Sequence, residues 1–284
     1  MILSYKYRLY PNREQRDGLS EMLQAFCDLY NAALQQRVEA YQRRGLSLTY
    51  RAQASELSDT RHADERFARY SYSAEQQVLR RLDKAFVAFF RRIKAGQKPG
   101  FPRFRASSRY HAADFRVGDG LTFCEEPRIR IAGIPGNIKI KWHRPLPAQP
   151  KSAVLTRQGK KWFVTFYIEA PITEPHFDHT VGIDLGISSL VAYSTGTTVN
   201  RPNWTKRAAK GLRRRQRALA RCKRASHRRQ KIKARLAAYH RKIANRRRDM
   251  LHKLSADIVS RFSHIAVEAL NVQGLARGML AKEV

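Results

Sequence analysis

Asp184 and Glu268 are the residues of this chain best placed to do chemistry. Asp184 lies in Val181-Gly182-Ile183-Asp184-Leu185-Gly186-Ile187, and Glu268 in His264-Ile265-Ala266-Val267-Glu268-Ala269-Leu270. Short apolar runs of this kind read as strands buried on both faces. A carboxylate in such a strand is costly unless a cation or hydrogen bonds compensate it. Two such acids in a nucleic-acid-seeking protein read as ligands of Mg²⁺ acting on phosphodiesters. Either acid alone reads equally well as the partner of a buried Lys or Arg; the matching contexts favour a shared site.

The elements between the two acids suit that reading. After the Asp184 strand come Leu190–Ser194, a turn at Gly196 and Thr197–Asn200, which read as a hairpin, and then helices up to the Glu268 strand. The acids are 84 residues apart. Strand, hairpin, helices and strand, with an acid on the first and last, match the ribonuclease H-like arrangement, in which adjacent parallel strands bring distant carboxylates together. Gly-Ile-Asp-Leu-Gly also opens the sugar-kinase and chaperone ATPase fold. That fold needs later Gly-rich phosphate loops, which are not found here, and it suits the charge poorly. There is no G-x-x-x-x-G-K-[ST], H-E-x-x-H or G-x-S-x-G.

The formal net charge of +33 on 284 residues points to a polyanion, with nucleic acid first and a membrane surface second. No apolar run approaches the ~20 residues of a spanning helix, and the N-terminus does not resemble a signal peptide. Cys27, Cys124 and Cys222 are scattered, with no zinc half-site, as expected of structural thiols in a cytoplasmic (prokaryotic cytosol or nucleoid) protein. From Arg201 to Lys253 there are 22 Lys and Arg against one acid, Asp249. Leu212, Leu219, Ile232, Leu236, Tyr239, Ile243, Leu251 and Leu254 keep helical spacing within that stretch. The expectation is a helical hairpin with a buried stripe and a cationic face on phosphates.

The first half has two textures. Leu3, Tyr5, Tyr7 and Leu9 alternate as in a half-buried strand. Asn12 with Gln15 forms a helix start, and the helical stripe from Leu19 to Leu34 stops near Gly45. Ser73 and Gln76 offer a second start. Leu79, Leu82, Phe86, Phe89/Phe90 and Ile93 follow as a stripe expected to face the core, ending at Gly96. Beyond Gly100, strands are expected at Leu121–Cys124, Arg128–Ile131, Asn137–Trp142, Ser152–Thr156 and Trp162–Ile168, a spacing typical of a small antiparallel barrel. Lys139 and Lys141 give one wall a basic outer face. The first strand joins this barrel, so the helical part is an insertion, and Pro171 to Thr180 is a linker. The fold class is α+β and multidomain: an antiparallel β-barrel with a helical insertion, then an incomplete ribonuclease H-like domain.

Several motifs together resemble the TnpB family, transposon-encoded RNA-guided DNA nucleases related to type V CRISPR effectors. They are Tyr5-Lys6-Tyr7-Arg8-Leu9-Tyr10-Pro11-Asn12, Gly100-Phe101-Pro102-Arg103-Phe104-Arg105, Val181-Gly182-Ile183-Asp184-Leu185-Gly186, Asn245-Arg246-Arg247-Arg248-Asp249-Met250-Leu251-His252-Lys253-Leu254-Ser255 and Val267-Glu268-Ala269-Leu270-Asn271-Val272. Each is weak alone; their shared order is specific. The resemblance implies a wedge barrel (1–11 and 98–175), a helical recognition insert (12–97) and a RuvC nuclease domain (177–284). It implies a guide RNA and target double-stranded DNA as partners, and no membrane. Asp184 and Glu268 match the first two RuvC carboxylates, as metal ligands and catalytic acids with Mg²⁺. The candidate nucleic-acid contacts are Lys6, Arg8, Arg103, Arg105, Arg213, Arg214, Arg215, Arg228, Arg229, Arg246, Arg247, Arg248, His252 and Lys253.

The sequence departs from the family pattern after Glu268. The family continues with a C-x-x-C zinc ribbon and a third RuvC Asp. Here the match fades near Ala276–Lys282, no zinc site follows, and the only later acid is Glu283. Ala269 also stands where the family usually has an acid. The expectations are an RNA-guided Mg²⁺-dependent DNA endonuclease whose cleavage is impaired in this truncated chain, or, alternatively, a nuclease-inactive guided repressor or a decayed transposase fragment.

Overall fold

The structure, a computed structural model, describes residues 1–124, 127–171, 179–186, 189–202, 204–271 and 274. The chain divides into two units, Met1–Ile172 and Thr173–Val284.

In the first unit, alternation makes β1 (Ile2–Tyr10) a barrel strand with Tyr7 and Leu9 turned inward. Helix α1 (Arg13–Arg44) starts as expected. The Gln15 amide donates to Asn12 Oδ1 at 2.8 Å, and the Asn12 amide donates to Gln15 Oε1 at 3.0 Å. Gln15 Nε2 also donates to the Pro135 carbonyl at 3.0 Å, so the cap ties the helix to a barrel loop. Gly45 ends α1 in the left-handed region, where a side chain would be strained.

Three short helices fill the polar connection: α2 (Tyr50–Ser55), α3 (Leu57–Ala63) and α4 (Glu65–Ala68). Helix α5 (Tyr72–Lys94) starts two residues earlier than the sequence pattern suggests. Its cap is Ser71, which accepts from the Ala74 amide, while Ser73 bonds sideways to Ser71 at 3.0 Å. The apolar stripe of α5 also departs from expectation. Leu79 and Leu82 are buried, but Phe86 is half-buried and Phe90 and Ile93 are 51% and 48% exposed.

The barrel continues with β2 (Ala112–Val117), β3 (Gly120–Phe123), β4 (Arg128–Ile131), β5 (Ile138–Lys141), β6 (Ser152–Gln158) and β7 (Lys161–Glu169). It closes in the order β1-β5-β4-β3-β2-β6-β7, with β1 running antiparallel to β7 from Ile2 opposite Glu169 to Leu9 opposite Trp162. Closure removes free edges. Strand β2 is not among the expected strands, because its only large inward residue is Phe115 and its period-2 signal is faint. It pairs in parallel with β3 over two positions, across the positive-φ Gly118 and Gly120; every other junction of the barrel is antiparallel. Ile138 and Ile140 point inward and Lys139 and Lys141 outward, as the alternation requires. Barrel residues Tyr7, Phe115 and Phe166 share one core with Phe26, Tyr30 and Leu82 of the helices.

Within this core Glu75 is fully buried, and burial pushes its carboxyl up to about 7 against the pull of Arg61, 2.5 Å away. A raised carboxyl pKa favours folding fully below the unfolded value and loses that contribution as pH rises through the folded value. The unit is therefore expected to lose on the order of 3 kcal/mol between about pH 4.5 and pH 7. Glu75→Gln removes the titration. Thermal melts should show the variant gaining on the wild type across that window; parallel pH profiles would disprove the assignment.

In the second unit, β8 (Thr180–Asp184), β9 (Ser189–Tyr193) and β10 (Thr198–Asn200) form the expected meander, with Gly196 at φ 83° in the turn between β9 and β10. Helices α6 (Trp204–Ala220) and α7 (His227–Arg261) follow, then β11 (His264–Val267). The sheet order is β10-β9-β8-β11, with β11 parallel to β8. Val181, Ile183, Val191 and Tyr193 pack against Ile258 of α7. Most of the Pro171–Thr180 stretch, along with residues 276–282 and Glu283, lies outside the described residues.

Candidate metal centre and nucleic-acid surfaces

Asp184 is the last residue of β8, and the β8–β11 register places Val267 opposite Ile183. Asp184 and Glu268 each follow that last pair by one residue, and neighbouring strands are about 4.8 Å apart, so the register carries both positions to the same end of the sheet. The 84 residues between them hold the hairpin and the two long helices.

The strands are less buried than the sequence suggests. Val181 and Ile183 are buried, but Asp184 is exposed and β11 is exposed along its whole length. The apparent apolar run is one packed face, Val181 and Ile183, alternating with Gly182, whose smallness passes for hydrophobicity. Ser194 lies against the glycine, its Oγ accepting from the Gly182 amide at 3.1 Å. The acids therefore stand in water, with no burial cost for a partner to offset. Among the described residues, no three His, Cys, Asp or Glu come together. Two hard oxygen ligands open to solvent fit a cation that keeps several waters and takes the rest of its shell from substrate phosphates.

The cationic hairpin is half-buried rather than cored. Leu212, Leu219, Ile232, Leu236 and Ile243 are intermediate in burial, and only Ile258 of α7 is fully buried. Two of the expected phosphate contacts serve the fold instead. The Arg215 guanidinium lies 4.0 Å from the Tyr239 ring centroid and donates to the Gly211 carbonyl at 3.0 Å. Arg229 Nη1 donates to the carbonyls of Leu219 and Cys222 at 3.0 and 3.2 Å, capping the end of α6. Arg213, Arg214, Arg228, Arg246, Arg247 and Arg248 are exposed along α6 and α7. Lys253 is exposed and paired with Asp249 at 2.9 Å. His252 lines an open groove of about 650 Å³ between α7 and the sheet, with Leu185, Arg247 and Arg248.

In the first unit, Lys6 lies 4.6 Å from the Phe163 ring centroid and Arg8 4.9 Å from that of Tyr10. Arg103 is exposed, and the exposed Arg105 guanidinium lies 5.3 Å from the Tyr30 ring centroid. Cys27, Cys124 and Cys222 are free.

A family model described as a probable transposase (OrfB of IS605) matches residues 164–279, and its companion, described as a helix-turn-helix domain, matches residues 1–45. In this chain residues 1–45 fold as a strand and one long helix. A putative RNA-guided DNA endonuclease from Streptomyces pristinaespiralis is 32% identical over 289 residues, covering 99% of this chain and 70% of the relative. The putative RNA-guided DNA endonuclease InsQ of Escherichia coli K12 is 28% identical over 281 residues, covering 97% of this chain and 68% of InsQ. Among solved structures, a Cas12f1–sgRNA–target DNA complex superposes with a TM-score of 0.56 at 11% identity, over 98% of this chain and 82% of that one. A barrel carrying helices, followed by a mixed sheet, is thus a Cas12-like fold. The chain belongs to the TnpB (OrfB/IS605) family.

Proposed function

We propose that this protein is a transposon-associated RNA-guided DNA endonuclease, binding a guide RNA and double-stranded target DNA. The observation that carries the reading is the parallel pairing of β8 with β11, whose register ends at Ile183 opposite Val267, one residue before Asp184 and Glu268, in a chain of net charge +33. The names of the S. pristinaespiralis and E. coli relatives support it. The barrel (1–11 and 98–175) serves as the wedge, residues 12–97 as the recognition insert and residues 177–284 as the RuvC part.

Asp184 and Glu268 would hold Mg²⁺, which when bound supplies Lewis-acid charge stabilisation at the scissile phosphate. The chain's own contribution is to present two carboxylates at one end of a sheet, Asp184 closing β8 and Glu268 just beyond β11. The exposed Arg residues of α6 and α7 hold the polyanion by its phosphates, which positions without reading sequence. Sequence is read by base pairing with the guide. Asp184 and Glu268 would leave the rest of the metal's shell to other oxygen ligands, water and substrate phosphates among them. Among the described residues, no helix is long and apolar enough to cross a membrane.

The test is the RNA dependence of DNA recognition. Purified protein is expected to retain one DNA sequence over others only when loaded with RNA transcribed beside its own gene. Equally tight, equally selective binding by RNA-free protein would point to an ordinary DNA-binding domain instead.

A further inference from the structure

The exposed half of α5 calls for an occupant. Val87, Phe90 and Ile93 on the helix, with Phe101 and Phe104 on the following segment, are each at least 48% exposed. The rings are organised. Phe101 stands edge-on to Phe86 and Phe89 at 5.6 and 5.4 Å, and Phe89 meets Phe90 at 5.1 Å.

The segment carrying Phe101 and Phe104 is fastened to α1. Asn31 Nδ2 donates to the Arg105 carbonyl at 2.9 Å, and the Arg105 amide donates to Asn31 Oδ1 at 2.8 Å. Pro102 is buried. This is a preformed platform, so little ordering entropy opposes binding to it.

Its charge narrows the partner. From Lys84 to Arg105 there are seven Lys and Arg and no acid, and all seven are exposed. A second copy of the same face would be repelled. A polyanion whose units carry flat apolar faces matches both features. Duplex DNA hides its bases in the stack, whereas RNA presents unpaired loops and junctions that proteins bind by stacking on aromatic rings.

Building on the guide-RNA reading above, we propose that Phe90, Phe101 and Phe104 form a stacking platform for unpaired nucleotides of RNA. The flanking Arg91, Arg92, Lys94 and Arg103 engage the phosphates on either side.

The probe is a fifteen-nucleotide oligoadenylate RNA, compared with the DNA of the same sequence and a blunt RNA duplex, all on the full chain. Phe90→Ala and Phe104→Ala are each expected to weaken oligoadenylate RNA binding by about 5- to 150-fold, the range for loss of one base–aromatic stack. The salt slope should not change, because no cation is removed. Both side chains are exposed, so folding should survive. Phe90→Leu should lose affinity as Phe90→Ala does, and Phe90→Trp should keep it, because stacking needs a ring and apolar docking does not.

Unchanged oligoadenylate affinity in Phe90→Ala and Phe104→Ala would overturn the proposal, as would an equal loss on the duplex. Rescue by Phe90→Leu would also overturn it, in favour of a protein or lipid surface. A loss confined to the DNA strand would overturn the assignment to RNA. Wild-type protein that bound no RNA would bring down the guide-RNA reading as well; wild-type binding with unaffected variants would bring down this platform alone.

Discussion

Asp184→Ala is expected to abolish Mg²⁺-dependent cleavage of guided DNA, with a loss of several orders of magnitude, while guided DNA binding stays within about twofold of the unmodified protein. Glu268→Gln should do the same, since the register brings both positions to the same end of the sheet. Both side chains are exposed, so neither change opens a cavity, and the melting temperature should hold. Robust guided cleavage that survives Asp184→Ala would place the chemistry elsewhere in the chain.

The second large effect lies in the hairpin. Replacing Arg213, Arg214, Arg228, Arg246 and Arg248 with Gln is expected to cost several orders of magnitude in RNA affinity near 0.1 M salt. It should also flatten the log–log salt dependence by roughly 0.7 to 0.9 for each phosphate left without its cation. Arg229→Gln should behave differently. Its guanidinium already caps α6 on the Leu219 and Cys222 carbonyls, so its loss should lower the melting temperature and leave the salt slope nearly unchanged. If all six positions proved equivalent, charge alone would be at work and the geometry of the hairpin would be irrelevant.

That split between Arg213 and Arg229 marks where the sequence stops being legible. Local signals read well: the Asn12–Gln15 cap, the stop at Gly45, and the alternation of Ile138 and Ile140 against Lys139 and Lys141 all appear as expected. Each depends on residues within a few positions of one another. Signals that depend on tertiary partners did not read. The pattern favours Ser73 as a cap because Gln76 follows it, yet Ser71 caps α5 and its Oγ bonds to Asp119 of a barrel turn. Helical spacing puts Phe86, Phe90 and Ile93 on the face of Leu82. It cannot say that the barrel covers only the first part of α5, where Arg81 pairs with Asp114 at 2.7 Å.

The site shows the same division. The two strands that carry the acids were readable from their motifs, and the register shows them paired in parallel. Their burial was not readable, because a glycine on an open face looks apolar when runs are counted. Arg215 and Arg229 count as two more charges in a basic stretch until Tyr239 and the α6 carbonyls are seen beside them.

The most direct test of the account is retargeting. Protein loaded with RNA from the flanking element is mixed with a DNA pool, and the retained sequences are read. The guide portion of the RNA is then replaced, with the protein unaltered, and the measurement is repeated. The account predicts that the retained target changes to match the new guide while the short motif beside it stays the same, because pairing reads one and protein the other. Retention of the original target after the guide is changed would contradict it.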